Sequence, residues 1–126
     1  KKFIGKIRDS LLAGQPVRAV GDRIGSPTYA ADLVRAISAI MRTKAHGLYH
    51  VTNFGVATRF DVAQEAKAIL GSRSEVLRVS SDEFALAAKR PRSEASMSFA
   101  LPARGLGELM RPWQQALRAY LESWTS

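Results

Sequence analysis

The stretch GDRIGSPT, residues 21–28, lies between a segment that alternates like a strand and a segment with helical spacing. This arrangement decides which fold we predict for the whole chain. Val17–Val20 alternates weakly before this stretch and predicts a short strand. After it, apolar residues recur at helical spacing up to about Thr43, with Thr28 as the predicted N-cap. Two glycines and a proline predict a loop between this strand and this helix. Strand, loop and helix in this order place the loop where open α/β sheets bind ligands.

The same alternation extends in both directions along the chain. Residues 2–13 form an amphipathic pattern that Gly14 and Pro16 end. Downstream, the patterns predict a strand at 48–51, a helix at 59–70 behind a capping box of Thr58 with Asp61, and a strand at 76–79. A second capping box, Ser80 with Glu83, predicts a short helix to about Ala87. Pro112 suits the first position of a last helix.

The order of these elements predicts an α/β protein. Helices alternate with three strands of about four residues each, which indicates a small, mostly parallel sheet with flanking helices. Three short strands make a small sheet, so we expect a piece of a larger one. Nothing in the sequence repeats at a fixed period.

The length and composition of the chain exclude several classes of protein. A chain of 126 residues that is 46% hydrophobic predicts one compact domain with a real core. The absence of cysteine excludes a disulfide framework and thiolate metal sites, and it fits a cytoplasmic protein. No apolar run approaches the roughly 20 residues that span a bilayer, so no membrane partner is expected. The start at Lys1-Lys2-Phe3, without Met, fits a fragment or a processed chain.

The net charge of +8 admits three interpretations. Ten of the basic and three of the acidic residues lie within positions 1–60, but they are scattered rather than clustered. Dispersed charge favours a solvated face over a nucleic-acid surface. A small polyanion such as a sugar nucleotide suits the arginines equally well.

Two segments are candidate binding sites. Residues 21–28 precede a helix N-terminus, whose free N–H groups suit an anion, and Arg23 adds a guanidinium; the alternative is a plain connection. Lys89-Arg90-Pro91-Arg92 concentrates three cations for a diphosphate or forms a solvated loop. No Gly-x-Gly-x-x-Gly or phosphate-loop motif occurs. The sequence predicts no metal site and no nucleophilic triad, because His46 and His50 fit a turn and a strand.

The order of several motifs resembles one enzyme family. Residues 22–28, followed by Asp32-Leu33, are similar to the Asp-Gln-x-Gly-x-Pro-Thr…Asp-Leu segment of dTDP-4-dehydrorhamnose reductases, with Arg23 in place of the common Gln. Residues 47–51 resemble their Gly-x-Tyr-His strand. The family's helix start, its Arg-Arg-Pro segment and its closing Trp-x-x-Ala-Leu helix have counterparts at 55–63, 89–98 and 112–117. The matches occur in the family's order and cover nearly the whole chain.

The resemblance implies an extended short-chain dehydrogenase/reductase that reduces the 4-keto group of dTDP-6-deoxy-L-lyxo-4-hexulose to give dTDP-L-rhamnose. It implies NADPH in a parent enzyme, bound by an N-terminal Rossmann domain absent from residues 1–126. No Tyr-x-x-x-Lys pair occurs here, so we expect no catalytic or cofactor-binding residue and no activity of this segment alone. The expected substrate-binding residues are Arg23, Ile24, Gly25, Ser26, Pro27, Thr28, Lys89 and Arg90.

The expected partners are the dTDP-sugar, the missing Rossmann domain and, through an apolar stripe from Trp113 to Trp124, a second copy. At helical spacing such a stripe is core or interface; without its partner domain we expect it to be exposed or covered in a homo-oligomer. Two alternatives stay open. One is a non-catalytic sugar-nucleotide-binding or regulatory module of the same superfamily, and the other is a basic nucleic-acid-binding domain.

Overall fold

A computed structural model of the chain describes residues 2–83, 93–96 and 100–124. It has the predicted α/β architecture, in which helices flank a small parallel sheet. Within these residues no helix combines the length and apolar character needed to cross a membrane. The elements in chain order are α1 (Phe3–Leu12), β1 (Val17–Val20), β2 (Ile24–Gly25), α2 (Ala30–Thr43), β3 (Ala57–Thr58), α3 (Arg59–Leu70), β4 (Val76–Val79), β5 (Ser93–Glu94), α4 (Ala100–Ala103) and α5 (Trp113–Glu122).

The strands of the described residues form two sheets. β1 pairs in parallel with β4 over four residues, from Val17 opposite Val76 to Val20 opposite Val79. β2 lies between β3, to which it is antiparallel, and β5, to which it is parallel. The predicted loop at 21–28 therefore contains a strand, which was missed because two residues are too few to show an alternation.

The strand predicted at 48–51 is not assigned as a strand. Its alternation is present, since Tyr49 and Val51 pack inward while Leu48 is exposed. Alternation, however, records which side chains are buried, whereas a strand also requires a ladder with a neighbour. In the described part of the chain, this segment belongs to neither of the two sheets.

The ends of the helices show which local sequence signals predicted a helix boundary correctly. The capping box of α3 forms as predicted: Asp61 N donates to Thr58 Oγ1 at 3.1 Å, and Thr58 N donates to Asp61 Oδ2 at 2.8 Å. Gly71 then ends α3 in the left-handed conformation, at φ 62°. The prediction for Thr28 was wrong, because Tyr29 is the N-cap of α2 and the Thr28 hydroxyl donates to Ser26 O at 3.0 Å.

Two other boundaries differ from the prediction by small shifts. Pro112 is the N-cap residue of α5 rather than its first helical residue. Ser80 N donates to Glu83 Oε1 at 3.0 Å, as its capping box requires, and a single 3-10 turn follows at Ser81–Glu83. The predicted extension of that helix to about Ala87 lies outside the described residues.

The main core joins α1, α3, α5 and β1. Its buried members are Ile7, Leu11, Val17, Ala19, Ala57, Val62, Ala63, Ala66, Trp113, Leu117 and Leu121. This corrects the prediction that the stripe of α5 would be exposed or covered by a second copy. Trp113, Leu117 and Leu121 are buried inside the chain itself, in the core where α5 packs against α3, while Trp124 at the end of the stripe stays 41% exposed.

A second, smaller cluster supports α2. Three residues, Ala36, Leu101 and Met110, are buried in it. Partly buried side chains from α2, from the segment before β3 and from the 3-10 turn at Gly107–Leu109 pack around them; these are Ile40, Tyr49, Val51, Leu106 and Leu109. Within the part of the chain that the structure describes, the α2 side therefore has a smaller buried apolar cluster than the α1, α3 and α5 side.

Candidate functional site

The candidate loop begins at the carboxyl edge of the β1–β4 sheet and is fastened there by Asp22. Because β1 and β4 are parallel, their carboxyl ends lie side by side. The Asp22 carboxylate accepts hydrogen bonds from Ser81 N at 3.0 Å, Ser81 Oγ at 2.9 Å and Ser80 Oγ at 3.2 Å. Burial opposes ionisation of Asp22, but these hydrogen bonds outweigh it and lower the pKa of the carboxyl group.

The middle of the loop is fastened to the segment that contains β5. Ser96 N donates to Ser26 Oγ at 2.8 Å, and Ser26 Oγ donates to Ser96 O at 2.9 Å. The Thr52 hydroxyl donates to the same carbonyl at 3.3 Å. Ile24 and Gly25 stand opposite Ser93 and Glu94 in the ladder. Loop and β5 segment therefore form one unit, held by backbone and side-chain bonds.

The predicted site residues divide into two groups. Six of them, Arg23, Ile24, Gly25, Ser26, Pro27 and Thr28, are consecutive and lie together in this unit, with Ile24 exposed and Arg23 half-buried. The other two, Lys89 and Arg90, lie outside the described residues. The described segment that follows them in the chain is β5, the neighbour of β2.

The far end of the loop is fastened by a buried ionic network around Asp32. Asp32 lies in the first turn of α2 and is 0% exposed. Arg111 binds its carboxylate in a bidentate manner, through Nε at 3.0 Å and Nη2 at 2.9 Å, and Arg35 also donates to it. Asn53 Nδ2 donates to Asp32 Oδ2 at 2.8 Å, while Asn53 Oδ1 accepts from Tyr29 N at 2.7 Å.

This network fixes the protonation of its members. Burial alone would raise the pKa of Asp32, but the hydrogen bonds from Arg111 and Asn53 and the nearby guanidinium charges outweigh burial, so the pKa is lowered. The hydrogen bond to Asp32 raises the pKa of Arg111 against the opposing effect of burial. Asp32 is therefore a charged anchor and not a proton donor, and its position orients the start of α2.

No local sequence pattern predicts this network. Asp32 belongs to the Asp-Leu motif of the resemblance, which assigns it no partner. Asn53 and Arg111 are 21 and 79 residues from Asp32 in sequence, so no local spacing connects the three. The only sequence signal was a lone carboxylate in the first turn of a predicted helix, next to an apolar face.

A row of aromatic rings runs from the end of the loop to the end of α5. Tyr29 meets Tyr120 edge to face, with ring centroids 5.7 Å apart, and Tyr120 meets Trp124 in the same way at 5.7 Å. The Arg8 guanidinium lies 4.3 Å from the centre of the Trp124 ring. These contacts attach the end of the loop to the main core and partly cover Trp124.

The loop and its described neighbours bring together groups that suit an anion. These are hydrogen-bonding side chains, the Arg23 guanidinium and the N-terminus of α2. A Cβ built on Gly21 would overlap the Arg78 side chain, so Arg78 fills the space beside this glycine. Arg78 also donates to Gly21 O.

Comparison with known proteins identifies the family. The sequence profile of the RmlD substrate binding domain matches residues 1–126. The chain is similar to the spore coat polysaccharide biosynthesis protein SpsK of Bacillus subtilis, with 32% identity over 89% of this chain and 38% of that protein. It is also similar to the dTDP-4-dehydrorhamnose reductase of Mycolicibacterium smegmatis, with 34% identity over 92% of this chain and 36% of that protein.

Solved structures share the fold. The dTDP-4-dehydrorhamnose reductase of Bacillus anthracis in complex with NADP superposes with a TM-score of 0.88 at 30% identity, over 98% of this chain and 43% of that one. The Clostridium acetobutylicum dTDP-4-dehydrorhamnose reductase gives a TM-score of 0.90 at 25% identity, over 100% of this chain and 45% of that one. In each comparison the chain spans less than half the length of the relative it matches.

Proposed function

The chain belongs to the RmlD substrate binding domain family, and from this premise we propose that it is the substrate-binding portion of an NADPH-dependent dTDP-4-dehydrorhamnose reductase. The observation that carries the proposal is the family match over residues 1–126, together with the naming of relatives as dTDP-4-dehydrorhamnose reductases. The reaction proposed for the whole protein is reduction of the 4-keto group of dTDP-6-deoxy-L-lyxo-4-hexulose to give dTDP-L-rhamnose.

We propose that the sugar nucleotide lies along residues 23–28. Two features of the loop support this position. The loop is held at its start, middle and end by Asp22, Ser26 and Asn53, so little conformational entropy remains to be lost on binding. The loop also contains the half-buried Arg23 and leads into the N-terminus of α2, both suited to the negative charge of a diphosphate.

Lys89 and Arg90 complete the proposed site. Their support comes from sequence and from the neighbouring strand: three cations at 89–92 are followed directly by β5, which pairs with the loop strand β2. A diphosphate carries charge on several oxygens, so cations from two segments bind it better than one. In this proposal Arg23 approaches it from the loop, and Lys89 and Arg90 approach from the segment before β5.

In this proposal, residues 1–126 bind the substrate, and another part of the longer protein supplies the groups that reduce it. Hydride transfer to a keto group requires a bound nicotinamide and a positioned acid. The chain lacks a Tyr-x-x-x-Lys pair and a Gly-x-Gly-x-x-Gly motif. We therefore propose that NADPH is bound by another part of a longer, cytoplasmic protein, and that residues 1–126 alone bind and orient substrate without reducing it.

Calorimetric titration of the longer protein with dTDP-L-rhamnose tests the proposal. We expect binding, and we expect Arg23→Ala to weaken it about tenfold, because one charge-assisted hydrogen bond is lost. The matched control is Arg73→Ala. Arg73 precedes β4 and is therefore at the opposite edge of the β1–β4 sheet. Absence of binding by the folded protein, or equal effects of both substitutions, would contradict the proposed site.

The same preparation separates the reductase from a non-catalytic sugar-nucleotide-binding module. A reductase oxidises NADPH when the 4-keto sugar nucleotide is added, whereas a regulatory module binds the sugar nucleotide and leaves NADPH unchanged. Absorbance at the nicotinamide band decides between them. Tight binding of duplex DNA with steep salt dependence, in place of sugar-nucleotide binding, would instead favour a nucleic-acid-binding domain.

A further inference from the structure

The side chain of Arg78 extends from β4 over the start of the candidate loop. Arg78 stands opposite Ala19 of β1 in the parallel ladder, and Gly21 follows two residues after Ala19. The Nε, Cγ and Cδ atoms of Arg78 occupy the space in which a Cβ of Gly21 would lie. Its Nη2 donates to Gly21 O. The guanidinium is therefore held at the carboxyl edge of the β1–β4 sheet, where the loop begins.

An aromatic ring also fixes this guanidinium. Its carbon lies 5.5 Å from the centre of the Phe60 ring. Phe60 is in the first turn of α3, just after β3, and Thr58 of β3 stands opposite Ile24 of the loop. The ring and the hydrogen bond restrict an otherwise exposed side chain, so less conformational entropy is lost when Arg78 binds a ligand.

The positive charge of Arg78 is not neutralised within the described residues. Its contacts there are the backbone carbonyl and the ring just described, and no carboxylate pairs with it. Asp22, which follows Gly21 in the chain, has its carboxylate hydrogen-bonded to two serines instead. Arg18 of β1, in contrast, pairs with Glu83 at 2.9 Å. Arg78 is thus an exposed, fixed cation at the ligand-binding edge of the sheet.

We propose that Arg78 binds the diphosphate of the sugar nucleotide, as a cation additional to Arg23, Lys89 and Arg90. This inference rests on the proposed function. A guanidinium has several N–H donors and matches two phosphate oxygens at once. Nη2 is the atom of Arg78 that donates within the described residues, and the remaining donors are available to a ligand. Gly21 is two residues before Arg23, so both guanidinium groups belong to the same end of the loop.

The absence of a side chain at Gly21 is required by Arg78 and not by the backbone. Gly21 is not among the glycines with positive φ, so its backbone conformation is open to other residues. A Cβ at this position would overlap the Arg78 side chain. Gly21→Ala therefore displaces the guanidinium without removing its charge, and it supplies a second variant with which to test the inference.

Calorimetric titration of the longer protein with dTDP-L-rhamnose and with inorganic pyrophosphate tests this inference. We expect Arg78→Ala to weaken both affinities about tenfold, because one charge-assisted contact is lost. Gly21→Ala should weaken them as well. The double variant should bind no more weakly than Arg78→Ala, because both changes act through one side chain. Arg73→Ala, which removes an exposed arginine before β4, is the matched control and should leave both affinities unchanged.

Thymidine, which carries no phosphate, separates phosphate binding from mere support of the loop. If Arg78 only held the loop in place, Arg78→Ala would weaken the binding of thymidine and of dTDP-L-rhamnose equally. We expect the loss to be confined to the ligands that carry phosphate. Arg78→Lys keeps the charge and should recover part of the lost affinity for them.

Each outcome has a defined meaning. Unchanged affinities in Arg78→Ala, or an equal loss for thymidine, overturn the inference and leave the proposed function intact. Additive losses in the double variant contradict the placement of Arg78 over Gly21, on which the inference depends. Pyrophosphate binding that requires Arg78, in a protein that binds no dTDP-L-rhamnose, supports the anion site and contradicts only the proposed function. Binding of neither ligand contradicts both.

Discussion

The two sides of this molecule are stabilised by different interactions. In the described residues, α1, α3 and α5 enclose a core with eleven buried members on one side. On the other side, the cluster that contains Ala36 of α2 has three buried members in the same residues, and α2 is also held by the charged network of Asp32, Asn53 and Arg111. The α1, α3 and α5 side is held together by apolar packing. The α2 side is held by polar contacts, and apolar side chains of α2 remain exposed there.

The difference indicates how a binding loop can be positioned at the edge of a domain. Apolar packing is non-directional and stabilises a core without fixing the orientation of a single loop. Hydrogen bonds and bidentate ion pairs are directional, and those of Asp22, Ser26 and Asp32 set the path of residues 21–29. The side with the smaller apolar core is thus also the side that carries the proposed site.

Removing the polar anchor should have the largest effect. Asp32→Ala leaves Arg111 and Asn53 without their shared acceptor, so we expect a loss of about 4 kcal/mol in the free energy of unfolding of the 126-residue chain. Urea denaturation measures it. Asp82→Ala, at an exposed position, should change the value by less than about 0.5 kcal/mol. A small effect of Asp32→Ala would show that the α2 side is held chiefly by its apolar cluster.

The main core gives the next largest effect. Leu121 is 2% exposed in the contact between α5 and its neighbours, so Leu121→Ala should cost about 3 kcal/mol through lost burial and a new cavity. Leu12→Ala, at a residue that is 59% exposed, removes the same atoms and should cost less than about 0.5 kcal/mol. Equal costs in urea denaturation would contradict the assignment of a closed core to this side.

Low pH should destabilise the α2 side more than the α1, α3 and α5 side. The pKa of Asp32 is lower in the folded state than in the unfolded state, so its contribution is complete above the unfolded value of about 3.9 and is lost as pH falls through the folded value. We expect the protection factors of the α2 amides, which correct for the pH dependence of intrinsic exchange, to fall below pH 4 more than those of the α3 amides. Asp32→Asn should remove most of that difference. Identical pH dependence in both helices would contradict the assignment.

The outer face of α2, formed by the exposed residues Val34, Ile37 and Met41, should contribute least to the stability of the 126-residue chain. Val34→Lys and Met41→Lys replace exposed apolar side chains, so each should change the free energy of unfolding by less than about 0.5 kcal/mol. Chemical denaturation of each variant, beside the Leu121→Ala variant, makes the contrast. A loss of 2 kcal/mol or more from either lysine would mean that the outer face is already covered within the chain.

The sequence predicted best those features that local chemistry determines. The capping box of Thr58 with Asp61 and the stop at Gly71 gave the bounds of α3, and hydrophobic spacing gave α1 and α2. β1 and β4 were predicted at their observed positions. Six of the eight site residues were predicted as one group because they are consecutive. Their role in binding stays a prediction, as does that of Lys89 and Arg90.

The remaining features depend on partners that are distant in sequence. β2 exists because β3 and β5 lie beside it, and two residues carry no pattern of their own. The segment at 48–51 has the alternation of a strand but no place in either described sheet. Asp32 is an anchor because Arg111 reaches it from 79 residues away. The burial of the α5 stripe likewise depends on which helices cover it.

The structure of the longer protein bound to dTDP-L-rhamnose tests the central claim most directly. We expect the sugar nucleotide to contact residues 23–28, with its diphosphate next to Arg23. A sugar nucleotide bound away from residues 23–28 would contradict the claim that this chain supplies the substrate site.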